Sequence, residues 1–234
     1  MTVAVIVFPG TNCEHDVVHA LGVLGCHAEL VWHKETDLAG ASGVVLPGGF
    51  AHGDYLRTGA IARFSPVMTE VARLAELGRP VLGVCNGFQI LCEAGLLPGA
   101  LVANRSLRFI CRPVHLRVES TGSVLTAAAT IGDVLRIPLN SYQGGFVAPA
   151  PDLAALEEEG RVMLRYCDPD GAVTDTANPN GSTGAIAAIA NPAGNVAGLM
   201  PHPERAVEAI LGSSDGAVLL GSFVAAAVAV GVAP

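Results

Sequence analysis

Three short apolar runs, each stopped by glycine or proline, constrain this chain most. Residues 3–8 (Val-Ala-Val-Ile-Val-Phe) end in Pro9-Gly10, Gly43–Leu46 ends in Pro47-Gly48-Gly49, and residues 80–84 end at the Cys85-Asn86-Gly87 turn. None of them alternates apolar with polar, so each strand is expected to be buried on both faces, as in a parallel sheet. Between them lie helical patterns. Residues 11–25 place Val17, Val18, Leu21 and Leu24 on one face, residues 59–77 read as a second helix and residues 86–94 as a third. With Ala28–Trp32 as a further strand, this βαβαβ alternation predicts an α/β fold, a doubly wound and mostly parallel sheet flanked by helices. From about Leu101 the runs shorten and alternate, at residues 114–118, 134–139, 162–166, 185–189 and 196–200. They predict an antiparallel extension of the sheet, with a return to helix after Pro203. Residues 1–234 read as one domain.

Composition removes several classes of function. The chain is 51% hydrophobic and 15% charged, too apolar for disorder. A net charge of −8 disfavours nucleic acid, which needs a basic face. The run Glu157-Glu158-Glu159 reads as a solvated helix end. The apolar residues 217–233 are Ala-rich, interrupted by Gly221, Ser222 and Gly231, and lack a cationic flank. A packed terminal helix is expected there, because a membrane span needs about 20 strongly apolar residues. Six cysteines (Cys13, Cys26, Cys85, Cys92, Cys111 and Cys167) contain no Cys-x-x-Cys pair, so no metal site is expected from their spacing. Met1-Thr2 runs straight into a strand pattern without a signal peptide. Reduced thiols and a cytoplasmic location are therefore expected.

The chemistry concentrates at Gly83-Val84-Cys85-Asn86-Gly87. A buried strand runs directly into a helix with Cys85 at the turn, the layout of a nucleophile elbow with Cys in place of Ser. Such a turn needs close backbone approach, which favours glycine at positions 83 and 87. It lifts the sulfur to a helix N-terminus, where free N–H groups and the helix dipole favour thiolate, and it turns the Asn86 N–H toward a developing oxyanion. Taken alone, Gly-x-Cys-x-Gly also fits a buried cysteine at an ordinary βα turn.

A cysteine nucleophile needs a base, and the base needs an orienting group. Pro201-His202-Pro203-Glu204 supplies both at the end of an apolar strand. The two prolines restrict the backbone around His202, and Glu204 can reach one imidazole nitrogen, leaving the other for Cys85. His15, His19, His27, His33, His52 and His115 lack such a setting and read as surface or satisfied core residues. The order Cys, His, acid differs from the nucleophile, acid, His order of α/β-hydrolases. Gly48 and Gly49, a glycine pair at a strand end, can present a peptide N–H that completes an oxyanion hole with Asn86. Each such donor is worth about 3 kcal/mol in the transition state. Gln89, one helical turn after Cys85, can hold the polar end of a substrate.

Together these residues resemble the triad (class I) glutamine amidotransferases. Within them the likeness sharpens to the glutaminase subunits that serve phosphoribosylformylglycinamidine synthase in purine biosynthesis. It covers nearly the whole chain: Phe8-Pro9-Gly10-Thr11-Asn12-Cys13, Leu46-Pro47-Gly48-Gly49-Phe50, Gly53-Asp54-Tyr55-Leu56-Arg57, Gly59-Ala60-Ile61-Ala62, the elbow through Leu91, Asn178-Pro179-Asn180-Gly181-Ser182, Gly194-Asn195-Val196 and Met200-Pro201-His202-Pro203-Glu204-Arg205. The elbow marks the superfamily, and the Gly-Asp-Tyr-Leu-Arg and Pro-His-Pro-Glu-Arg blocks mark these subunits. The resemblance implies that Cys85 forms a glutamyl thioester, that His202 shuttles the proton and that Glu204 orients His202. It also implies a partner synthetase, with ATP and Mg belonging to that subunit and no cofactor in this chain, and a small bridging subunit. One block departs. After Ile137-Pro138-Leu139 the family carries Ala-His-Gly-Glu-Gly, and this chain has Asn140-Ser141-Tyr142-Gln143-Gly144-Gly145. That loop helps seat glutamine and faces the synthetase in the family. Residues 167–177 read as a local insertion. Three alternatives stand beside this reading: an amidotransferase feeding another synthetase, a non-hydrolytic cysteine protein of similar fold, and a catalytically weak binding subunit.

Overall fold

The computed structural model describes residues 1–231. In chain order the elements are β1 (Val3–Val7), α1 (Glu14–Val23), β2 (Ala28–Trp32), β3 (Gly43–Leu46), α2 (Val67–Glu76), β4 (Val81–Val84), α3 (Asn86–Glu93), β5 (Ala100–Val102), β6 (Ile110–Val118), β7 (Val134–Ser141), β8 (Gly145–Val147), α4 (Ala150–Glu158), β9 (Val162–Cys167), β10 (Ile186–Ala190), β11 (Val196–Leu199) and α5 (Gly216–Gly231).

Nine strands form one sheet in the order β2-β1-β3-β4-β11-β10-β9-β6-β7. β2, β1, β3, β4 and β11 run parallel, and the antiparallel extension begins where β10 pairs with β11. Every residue of β3 and β4 is buried, as expected of strands covered on both faces. This is the doubly wound α/β sheet with an antiparallel wing that the apolar runs predict. Because the central strands are parallel, the loops after β1, β3, β4 and β11 all leave from the same sheet edge. The strand order reverses beside β1, so that edge carries the crevice in which such sheets bind ligands.

Several boundaries differ from the expectation, each for a physical reason. The helix expected over residues 59–77 is broken. A 3-10 turn, Ala62–Phe64, ends at Ser65, whose φ/ψ of −64°/140° is extended, and α2 begins only at Val67. Pro66 excludes Ser65 from the helical region. α1 starts later than Thr11 because the N–H groups of Asn12 and Cys13 both donate to Gly48 O, at 3.1 Å each. β6 begins before its apolar pattern because its first four residues are half-buried or exposed and carry no alternation, and β7 extends with it through the pairs Ile110–Ser141 and Cys111–Asn140. The two-stranded sheet β5-β8 and helix α4 were not expected from the pattern; α4 buries only Leu156. Glu157 and Glu158 do close that helix.

The terminal apolar stretch is the packed helix α5, with Leu219, Leu220, Phe223 and Ala227 buried. Val232 and Ala233 of the expected stretch lie outside the described residues. Among the described residues no helix is long and apolar enough to cross a membrane. The start of α5 backs the His202 segment. The Gly216 N–H donates to Ala206 O at 2.7 Å, and a Cβ on Gly216 would stand 2.1 Å from Pro203 O.

Candidate active site

The elbow is as tight as its glycines suggest. Cys85 adopts φ 52°, ψ −105°, a left-handed conformation that a residue with a Cβ adopts only when its surroundings enforce it. A Cβ on Gly87 would stand 1.9 Å from Leu46 O, and one on Gly83 would stand 2.7 Å from Gly87 C. These contacts dock the first turn of α3 against β3 and β4. The Cys85 N–H donates to Leu199 O at 2.8 Å, tying the elbow to the last residue of β11. Its Sγ lies 3.6 Å from Asn140 O.

Three residues beyond β11 comes His202. Its N–H donates to Pro138 O at 2.7 Å, and Nδ1 lies 2.6 Å from Oε1 of Glu204. Both side chains are buried, and Nε2 of His202 has no partner. The ring lies against the Gly48 backbone, where a Cβ would meet Cε1 at 2.7 Å, Cys13 Sγ at 3.1 Å and the Cys85 Cβ at 3.4 Å. The thiol of residue 85 and the ring of residue 202 therefore flank one bare glycine. Burial pushes the His202 pKa down, but the Glu204 carboxylate and the thiols of Cys13 and Cys85 outweigh it and hold the imidazole well above its ordinary value.

Gly49 follows with φ 151°, and a Cβ there would strike Asn12 N at 2.7 Å and Gly10 O at 2.8 Å. Gly48 O already accepts two N–H groups from residues 12 and 13. In a trans peptide the Gly49 N–H points opposite that carbonyl, away from the loop after β1. Asn86 opens α3, so its N–H has no partner inside the helix. Asn86 and Gln89 are buried and linked: Asn86 Nδ2 donates to Gln89 Oε1 at 2.8 Å, and Asn86 Oδ1 accepts from Ala51 N at 3.0 Å. Gln89 Nε2 donates to Gln143 O at 2.6 Å.

Asn12, Cys13, Gly49, Cys85, Gln89 and His202 meet on the wall of one cavity of about 370 Å³, large enough for an amino acid. Its rim adds residues 140–143, the loop that departs from the family pattern, together with Phe50, Phe109, Asp54, Thr58 and Arg205. Buried amides brace that loop. Asn104 Nδ2 donates to Ser141 O at 2.8 Å, and Asn180 Nδ2 donates to Gly144 O at 2.7 Å.

The seven residues singled out from the sequence thus gather at one end of the sheet, with Gly48 between the two reactive groups. Sequence reasoning gives Cys13 no role at the site, yet Arg205 donates to its sulfur at 3.3 Å and it lines the cavity. Potential ligand atoms of Cys13, His202 and Glu204 lie within 4.8 Å of one another, a cluster that sequence spacing does not reveal. Glu204 already directs Oε1 to His202. Of the other histidines, His33 is buried and bonded to Ser65, and His19 pairs with Glu208 on the surface.

The family model of the CobB/CobQ-like glutamine amidotransferase domain matches residues 1–215. The PurQ subunit of phosphoribosylformylglycinamidine synthase from Salinibacter ruber is 54% identical over 220 residues, 94% of each chain. The same subunit from Thermomicrobium roseum is 51% identical over 235 residues, the full length of both. Among solved structures, a chain of PurLQS from Thermotoga maritima is similar with a TM-score of 0.85 at 41% identity, covering 96% of this chain and 97% of that one. A glutamine amidotransferase from the same organism, at 16% identity and a TM-score of 0.55, shares the fold.

Proposed function

Since the chain belongs to the CobB/CobQ-like glutamine amidotransferase family and, within it, to the PurQ subunits of phosphoribosylformylglycinamidine synthase, we propose that Cys85, His202 and Glu204 are the triad with which it hydrolyses L-glutamine. The reading rests on one juxtaposition: a buried imidazole whose Nδ1 is held by a carboxylate at 2.6 Å and whose Nε2 is unspent, set across a bare glycine from a thiol at an elbow.

In this reading Cys85 Sγ attacks the carboxamide carbon of glutamine while His202 Nε2 takes the thiol proton. The carbonyl oxygen becomes an oxyanion, and the N–H groups of Gly49 and Asn86 stabilise it. His202 returns the proton to the leaving nitrogen, ammonia departs, and a glutamyl thioester remains on Cys85. His202 then activates water, and glutamate is released. Glu204 fixes the tautomer and stabilises the imidazolium formed in each half-reaction. Gln89 and the loop of residues 140–143 frame the rest of the substrate.

The ammonia passes to a synthetase that makes formylglycinamidine ribonucleotide, with ATP and Mg bound by that partner, and a small bridging subunit completes the assembly. The exposed apolar side chains Phe50, Tyr55, Leu56, Phe109 and Tyr142, at and beside the cavity mouth, suit coverage by the synthetase. Residues 1–234 act as one amidotransferase domain, and the reduced nucleophile fits a cytoplasmic setting. Replacing the thiol tests the reading. Cys85→Ala in the complex is expected to abolish glutamine-dependent synthesis and to leave ammonia-dependent synthesis intact. Full glutamine-dependent activity of that variant would refute it.

A further inference from the structure

The triad accounts for the carboxamide end of the substrate and leaves its amino-acid end unassigned. Glutamine carries an α-ammonium group at neutral pH, and a site that selects it over a plain amide needs an acceptor placed there. Among the described residues lining the cavity, Asp54 is the single carboxylate. Its Oδ1 is buried and has no hydrogen-bond partner. Two other polar side chains of the cavity wall are already engaged, Gln89 and Thr58. Gln89 is bonded to Asn86 and to the Gln143 carbonyl, and Thr58 Oγ1 donates to Gln143 Oε1 at 3.3 Å. The cations on the cavity wall are engaged too: Arg205 donates to Asp16 Oδ2 at 3.0 Å and to Cys13, and His202 to Glu204.

The backbone around Asp54 is held in a costly form. His52, Asp54 and Leu56 are all left-handed, at φ 54°, 55° and 71°. The segment is fastened to α3 at several points. Ala51 N donates to Asn86 Oδ1, Arg57 forms a two-pronged pair with Glu93 at 2.5 and 2.6 Å, and Gly59 lies so close that a Cβ would stand 2.9 Å from Ile90 N. Cys85 stands at the start of α3, so the loop that carries Asp54 is held against the same element as Cys85. Burial without a counter-charge pushes the Asp54 carboxyl up to about 6, and an ammonium ligand would supply the missing charge.

We infer that Asp54 accepts the α-ammonium group of glutamine and so selects an amino-acid amide over a simple amide, an inference that rests on the glutaminase reading of the cavity. The geometry makes Asp54 a substrate-binding and specificity residue that takes no part in the proton transfers at Cys85. It also gives the Gly53-Asp54-Tyr55 segment a task within this chain, besides the apolar surface its neighbours present.

Glutaramate, which is glutamine without the α-amino group, tests it. kcat/KM for glutamine and for glutaramate is measured with the chain in complex with its synthetase, for wild type and for Asp54→Asn. Asparagine keeps the side-chain shape and tolerates left-handed φ. Glutaramate turnover, which needs the triad but no acceptor for an ammonium group, serves as the control that the variant chain is folded. Wild type is expected to favour glutamine by about tenfold or more, the worth of one hydrogen bond to a charged group. In Asp54→Asn the preference should collapse toward unity through a raised KM for glutamine, with glutaramate turnover little changed. An Asp54→Asn complex that keeps the wild-type preference, or a wild type with no preference, overturns the assignment of Asp54 alone. Turnover that survives Cys85→Ala would instead overturn the glutaminase reading beneath it.

Discussion

A Cβ on Gly48 would stand 2.7 Å from Cε1 of His202, so the absence of a side chain at residue 48 lets the imidazole sit beside Cys85. The same position would meet the Cys85 Cβ at 3.4 Å, which makes Gly48 the spacer between the two reactive groups. Gly48→Ala is expected to displace the ring and lower glutamine hydrolysis on the order of 100-fold. The melting temperature should change far less than the rate. A variant with near wild-type kcat/KM would show that the ring need not occupy this place.

The His202–Glu204 pair makes a second prediction, with a defined pH sense. His202 has its folded pKa raised above the ordinary value of about 6.5 by the carboxylate and thiols around it. The stability this pair contributes is therefore fully present below about pH 6.5 and is lost as pH rises through the folded value. Glu204→Gln leaves a buried imidazole without its counter-charge. Breaking a buried pair costs about 3 kcal/mol, so the melting temperature should fall most in the acidic range, with the gap to wild type narrowing as pH rises. Glutamine hydrolysis should fall on the order of 100-fold, since the tautomer is no longer fixed. A stability gap that widened with pH would contradict this account.

Asp54 shifts stability in the same pH sense as His202, but as a penalty that appears at higher pH. Its carboxyl is raised to about 6 by burial, so the folded protein holds this proton longer than the unfolded chain. Wild-type stability falls as pH climbs from about 4 to 6 and stays reduced above that window. Asp54→Asn removes the penalty. Without glutamine it should be more stable than wild type above pH 6 on the order of 1 kcal/mol, because partial exposure screens the charge. The advantage should vanish below about pH 4. Thermal melts across pH check it, and a variant less stable than wild type at neutral pH would exclude an unpaired charge at this position.

The site was legible wherever local sequence dictates geometry. Gly83 and Gly87 announce the elbow because their missing side chains are what the contacts with Leu91, Leu46 and the α3 backbone require. Two prolines mark His202 because few other contexts immobilise a histidine so firmly. Cys13 was not legible as a neighbour of His202. It leaves β1 at the other end of the chain, and only the strand order that brings the β1 and β11 loops to one edge reveals the contact. Asp54 escaped for another reason: nothing in Gly-Asp-Tyr states that Asp54 is left-handed or that one of its oxygens is buried without a partner. The helix expected over residues 59–77 overruns the real one because the apolar spacing continues across Ser65-Pro66, where the proline ends the helical backbone.

The central claim is that Cys85, and no other thiol, attacks glutamine. Cys13 makes a stringent internal control, since its sulfur also lies on the cavity wall beside His202. Peptide mass spectrometry after treatment with an electrophilic glutamine analogue such as a chloroketone measures this directly. One adduct on the peptide containing Cys85, prevented by excess glutamine and absent in His202→Ala, is the predicted result. Modification of Cys13 with Cys85 left free, or labelling that glutamine fails to protect, would contradict the account.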